Sequence, residues 1–284
     1  MTSPCAACTR GCCHHYSVVV TGHDIWAISR ALGLAPEQFL VVTPQHTPNS
    51  RGFCLDSSGR TFDLALDKQT GGAAEARACV FWLSLPGGVG RCGVYAVRPH
   101  VCQTYPAVLR QDQLLRRDDV LCPDDAWRGD ALAHPIWRQR LEAMYVEFDL
   151  YALAVARWNA HVRAQGGAQS AGQYLAYVMN FYARLAPIRA RLGPESWAAL
   201  CAEWSAGLQR GVSPWVVDVP ALAPWAGVLT DIRAVAESFF PSDYSPPTVP
   251  PSPPAGAEPG WPHEGRRWEE ARGVESPALA LSRL

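Results

Sequence analysis

The chain has 284 residues and is 48% hydrophobic, enough for a sizeable core and one or two domains; it is not the composition of a disordered protein. A formal net charge of -1 gives no reason to expect nucleic acid or an anionic membrane as a partner.

The first feature along the chain is a crowd of thiols. Cys5, Cys8, Cys12 and Cys13 stand in the string CAACTRGCC, and Cys54, Cys79, Cys92, Cys102 and Cys122 follow, leaving only Cys201 beyond residue 123. Packing does not need thiols at that density; disulfide formation or soft-metal ligation does. Met1–Pro4 has neither a basic nor an apolar stretch to read as a signal peptide. Val18–Val20 is far shorter than the roughly 20 apolar residues a membrane span takes. The expected localisation is therefore cytoplasmic, where thiols stay reduced. In that setting a cysteine cluster points to a metal-ion partner ahead of a disulfide framework.

Tyr16–Val20 is a β-branched run suited to a short strand. Thr21 then reads as a helix N-cap with Asp24 three residues on, and the helix carries Ile25, Ile28, Ala31 and Leu32 on one face before Gly33 stops it. Pro36 opens a second short helix through Phe39 and Leu40. Residues 41–78 are poorly patterned apart from Phe62–Leu66, which alternates as a strand. Cys79–Leu83 and Arg91–Tyr95 read as two strands joined by the Gly/Pro turn at 86–90, so Cys79 and Cys92 flank a hairpin and converge. Cys102 falls in the loop after Arg98-Pro99. Val108–Asp118 is a further hairpin that delivers the chain to Cys122-Pro123.

The ordered blocks CAACTRGCC, VVVTGHDIW, CVFWL and GRCGVYAVRPHVCQTYP closely resemble the YkgJ-type cysteine-cluster family, whose members carry a zinc- or iron-chelating CxxCxxCC domain. The resemblance covers residues 5 to 123. It implies metal ligation by Cys5, Cys8, Cys12 and Cys13 in the leading cluster, by Cys79, Cys92 and Cys102 in the later blocks, and by the trailing Cys122. Three residues, Thr9-Arg10-Gly11, separate Cys8 from the Cys12-Cys13 pair where the family spacing is two. Flagellin lysine methylases carry a related cluster, although residues 130–284 resemble no methyltransferase. Cys54 has no counterpart in the pattern.

Ligation also follows from the residues themselves. A C-x-x-C turn lets two thiolates grip one ion, and adjacent Cys12 and Cys13 point different ways, toward different ions or a bridged cluster. So many thiolates suit two four-cysteine sites or one polynuclear centre. Zinc, iron and an iron–sulfur cluster all remain open, because soft thiolates accept each. Four thiolates on a divalent ion leave about two negative charges, which Arg10, Arg91 and Arg98, or N–H groups of Gly11 and Gly93, could offset. Lys68, the only lysine, reads as genome composition. His14, His15 and His100 could each supply a nitrogen, though a polar strand entrance is the plainer reading for the first two. Tyr95, Tyr105 and Trp82 read as packing around the site.

The later part is helical. Trp137, Leu141, Met144, Phe148, Tyr151, Val155, Trp158 and Val162 are spaced 4, 3, 4, 3, 4, 3, 4, one continuous apolar seam on a helix begun at His134-Pro135. A second helix from Ser170 carries Leu175, Val178, Tyr182 and Leu185, with Pro187 kinking or ending it. A third, opened by Pro194-Glu195, places Trp197, Cys201, Trp204 and Leu208 on one face, with Cys201 a buried core thiol. A fourth runs from Trp225 to Phe240.

The fold class expected is α+β: a loop-rich cysteine-cluster domain at 1–127, a small helical bundle at 130–240, and a disordered Pro-rich tail at 241–284, which holds ten of the 24 prolines. The function expected is chelation of zinc or iron, with the physiological role open. An iron–sulfur redox or methylase-associated protein is one alternative; a structural zinc domain with a helical protein-interaction module is another. No P-loop, G-x-G-x-x-G, H-E-x-x-H or G-x-S-x-G points to a substrate.

Overall fold

The computed structural model describes residues 12–70, 78–86, 90–110, 112–117, 120–122, 132–215 and 219–240. Cys5, Cys8, Arg10, Gly11, the centre of the turn at 86–90, and the Pro-rich tail lie outside these residues.

The fold is α+β. Its helices are α1 (Cys12–His15), α2 (Gly22–Leu32), α3 (His100–Thr104), α4 (Ile136–Gln165), α5 (Ala171–Gln209) and α6 (Ala226–Glu237). Its strands are β1 (Leu40–Pro44), β2 (Phe62–Leu66), β3 (Trp82–Ser84), β4 (Gly90–Cys92), β5 (Ala107–Arg110) and β6 (Gln113–Arg116). The strands form three separate antiparallel pairs in chain order.

Helix α2 starts where Thr21 caps it. The Thr21 hydroxyl accepts the Asp24 amide at 3.4 Å, and the Thr21 amide donates to Asp24 Oδ2 at 2.9 Å, a reciprocal capping box. It ends at Gly33, whose φ of 66° only glycine adopts without strain. Ile25 and Ile28 are fully buried, but Ala31 and Leu32 are exposed. The expected strand at Tyr16–Val20 is reduced to one bridge, Val19 to Ala65, with Val20 N–H on Leu64 O at 2.9 Å. The run is cut short because α1 occupies the residues before it and the α2 cap follows at once.

Pro36 opens only a 3-10 turn, Pro36–Gln38, and Leu40 already belongs to β1. Strand β1 pairs with β2 in the register Leu40 to Leu66 through Pro44 to Phe62. Pairing of β3 with β4 sets Trp82 opposite Cys92, so β3 begins three residues after Cys79 rather than at it. After β4 the chain turns into a 3-10 segment, Tyr95–Val97, not further strand. Cys102 sits in α3, not in a loop. The β5–β6 hairpin forms as the sequence suggests.

The α4 seam is buried at every position except Phe148, which is half-buried beneath the Arg51 guanidinium, 4.4 Å from the ring centre. Pro187 neither ends nor splits α5; the break falls at Gly193, with φ 75° and ψ 166°. Pro194 disfavours helical backbone in the residue before it, and glycine takes up the required left-handed φ. Cys201 is a core thiol, 2% exposed.

One apolar core joins the cysteine-rich part to the long helices. Ile25, Ile28, Phe39, Phe53 and Leu64 belong to the same cluster as Tyr151, Trp158, Tyr174, Val178 and Phe181. Phe53 stacks on Tyr174 with ring centres 3.9 Å apart. A second cluster sets β5 against the start of α4 through Leu109, Trp137 and Leu141. Among the described residues no helix is long and apolar enough to cross a membrane.

Candidate metal centre

The thiols gather around Lys68. Cys12 and Cys13 open α1; Cys13 O accepts the Cys79 amide at 2.9 Å and Lys68 Nζ at 3.1 Å, while Tyr16 O accepts the same ammonium at 2.6 Å. A bridge between Lys68 and Cys79 fixes their backbones side by side. Cys92 arrives on β4 and Cys102 on α3. Cys13 is close enough to Cys79, Cys92 and Cys102 for their charges to act on one another, and Lys68 feels Cys79 most, then Cys13, Cys12 and Cys102.

Two of these sulfurs share a local geometry. Cys79 Sγ accepts the amide of Phe81, and Cys92 Sγ accepts the amide of Val94, each from two residues ahead. Such N–H···S contacts favour the thiolate. Burial works against them and is stronger: it pushes the Cys79 thiol up to about 11 and raises Cys92 and, further, Cys102. Cys13 is lowered, to about 7, chiefly by a hydrogen bond with Cys12 and against burial, with Lys68 assisting. Cys12 and Cys13 thus meet each other, where the sequence suggested that they diverge. Thiolates are soft donors suited to a divalent zinc or iron ion, which would supply the positive charge that these sulfurs lack. The Lys68 ammonium offsets part of the remaining negative charge, though burial lowers its own pKa.

The other sequence-derived residues fall at varied distances from this group. Cys122 packs against the β5–α4 cluster beside Tyr105, whose hydroxyl accepts the Leu121 amide at 2.8 Å. Cys54 is buried at the α4 side, its amide on Asn159 Oδ1 at 2.8 Å and its carbonyl on Trp158 Nε1 at 2.7 Å. His14 and His15 lie on α1 rather than at a strand entrance; the His14 ring meets the Trp82 edge at 4.7 Å. His100 Nδ1 is 2.8 Å from Asp24 Oδ1. Gly93 N–H donates to Phe81 O at 2.8 Å, not to sulfur, since it continues the pairing of Trp82 with Cys92 across the hairpin. Tyr95 is 54% exposed and so does not pack around the site; it lies under the Arg98 guanidinium at 4.1 Å. Arg98 also acts on Cys13 and Cys92.

Lys68 is the residue that sequence reasoning missed. Its isolation among arginines was the available signal: an ammonium on a flexible stem can reach two carbonyls that a planar guanidinium would not fit in the same way.

A half-buried set of thiols drawn from four segments, with amide and ammonium support, is the chemistry of a metal-chelating cysteine domain. Residues 4–123 match the family model CxxCxxCC, described as "Putative zinc- or iron-chelating domain". No curated protein and no solved structure matches the chain.

Proposed function

We propose that the protein binds zinc or iron through Cys12, Cys13, Cys79, Cys92 and Cys102, joined by Cys5 and Cys8 of the leading cluster and by Cys122. The observation that carries this reading is the approach of Cys13, Cys79, Cys92 and Cys102 to one another beside the half-buried Lys68. The bound ion would supply the positive charge that keeps these sulfurs ionised. Residues 1–127 act as the metal-binding domain and 130–240 as its helical support, in a reducing, cytoplasmic setting where the thiols stay available. On this reading metal binding and folding of the N-terminal part are coupled.

An iron–sulfur centre is the second reading, favoured by a thiol count beyond what one tetrahedral ion takes. Elemental analysis and an absorption spectrum of anaerobically purified protein separate the two. Zinc with a featureless visible spectrum is the result expected for the structural role. Iron with acid-labile sulfide and visible absorption would establish the cluster instead, and absence of both metals from folded protein would refute chelation.

A further inference from the structure

Away from the thiols, three donors from three helices face one another. His23 comes from α2, His100 from α3 and Glu147 from α4, and one ligand atom of each lies within 4.8 Å of the others. We propose that these residues form a second metal site, of nitrogen and oxygen donors, for a divalent transition-metal ion of the zinc or ferrous type. It stands independently of the thiolate reading, since it uses different residues.

The donors are set up as ligands. Asp24 Oδ1 accepts from His100 Nδ1 at 2.8 Å, which fixes the tautomer and leaves the lone pair on Nε2. A carboxylate behind a metal-binding imidazole is a common orienting device. Glu147 is 2% exposed, and its Oε1 lies 2.6 Å from Arg189 Nη2, a charge contact without hydrogen-bond alignment. Its second oxygen, Oε2, is buried with no hydrogen-bond partner, and so is His23 Nδ1. Tyr182 Oη is a third buried atom without a partner; its ring is 6.1 Å from that of His23, and its charge environment is set by Glu147 and Arg189.

Unpaired buried donors and acceptors are costly, so several meeting in one place call for a missing partner. Charge agrees. Asp24 and Glu147 bring two carboxylates and Arg189, against Glu147, one guanidinium, so with both imidazoles neutral, as ligation requires, these groups carry a net negative charge. Metal bonds of about 2.1 Å place two donors at most about 4.2 Å apart, so small side-chain shifts close the triad on an ion. Two imidazoles and one carboxylate leave coordination positions open, as in non-haem iron and catalytic zinc sites.

The test uses the full-length chain loaded with zinc and dialysed. The zinc K-edge absorption spectrum of the wild type should show a mixed shell, with nitrogen or oxygen and imidazole scattering beside sulfur. An all-sulfur shell would overturn the proposal. Glu147→Gln and His23→Gln should each lose a single zinc ion per chain, while the sulfur-to-metal absorption of the cobalt-loaded protein persists unchanged. Full zinc content in the folded variants would also overturn it. Should these variants not fold, the wild-type spectrum decides. Cys92→Ser distinguishes the readings: if it keeps all its zinc while Glu147→Gln loses an ion, only the thiolate assignment fails.

Discussion

Asp24 holds His100 through two bonds to one oxygen: Oδ1 accepts the His100 amide at 2.9 Å and the ring Nδ1 at 2.8 Å. Its other oxygen accepts the Thr21 amide and hydroxyl, both at 2.9 Å. One buried carboxylate thus caps α2 and ties it to the start of α3. Asp24→Ala should cost about 3 kcal/mol or more, since it removes a cap and orphans buried donors. Urea unfolding of the two single variants and the double variant with His100→Ala checks this. The coupling expected is at least about 1.5 kcal/mol; a value near zero would mean that the contact contributes nothing.

The approach of α2 to α5 is equally specific. A methyl group on Gly22 would lie 2.3 Å from Tyr182 Cε2 and 2.6 Å from Val178 Cγ1. Gly22→Ala should therefore destabilise the fold by about 1–3 kcal/mol through overpacking. Adding Val178→Ala should recover part of that loss in thermal melts, and strict additivity of the two changes would contradict the steric account.

What was legible in the chain was local. The α4 seam, the Thr21–Asp24 capping box and the β5–β6 hairpin each depend on residues a few positions apart, so spacing alone reveals them. Strand β1 carries no strong pattern of its own and exists because Phe62–Leu66 pairs with it. Most of the candidate ligands were legible as cysteines, but the element carrying Cys102 was not, because α3 is a five-residue helix held by Asp24 from 76 positions away. Lys68 and the His23–Glu147 pairing were illegible for the same reason: their meaning lies in partners supplied by distant segments.

Lys68 offers a test that removes no sulfur. Lys68→Met should weaken zinc binding about tenfold or more, the size of effect expected from losing a part-buried compensating charge. It should leave the metal-to-protein ratio at saturation unchanged. Competition with a chromophoric chelator measures the affinity; a drop in saturating stoichiometry would make Lys68 essential to the site's structure rather than to its charge. Cys92→Ser should lower the stoichiometry, and Cys201→Ser should not.

The buried thiols predict proton release. Cys79, Cys92 and Cys102 are all raised above the ordinary thiol value by burial, so at neutral pH they are protonated before metal binds. Zinc binding should expel close to one proton from each ligating thiol among them, and affinity should fall as pH is lowered. Calorimetry in buffers of different ionisation enthalpy counts these protons. A count near zero would exclude these sulfurs as ligands.

Asp149 predicts a pH dependence of stability unrelated to metal. Its Oδ2 accepts from Trp204 Nε1 and Ser213 Oγ, both at 3.0 Å, yet burial pushes the carboxyl up to about 6 from 3.8. The folded state therefore binds more protons than the unfolded state between about pH 4 and 6. This group's contribution is most favourable below that window and is lost as pH rises through it, by something on the order of 1–3 kcal/mol. Asp149→Asn should flatten the slope in urea titrations across that range; an unchanged slope would assign the pH dependence elsewhere.

Asn159 brackets a distant loop, accepting the Cys54 amide at 2.8 Å and donating to Gly52 O at 2.9 Å, while Trp158 donates to Cys54 O at 2.7 Å. These bonds join residues more than a hundred positions apart. During synthesis the cysteine-bearing segment leaves the ribosome well before α4, and the loop at 52–54, bridged locally by Phe53 to Phe62, lacks its Trp158 and Asn159 partners until that helix follows. For that interval the nascent thiols stand ahead of their scaffold, so the supply of metal during translation, and not only afterwards, bears on how the chain matures.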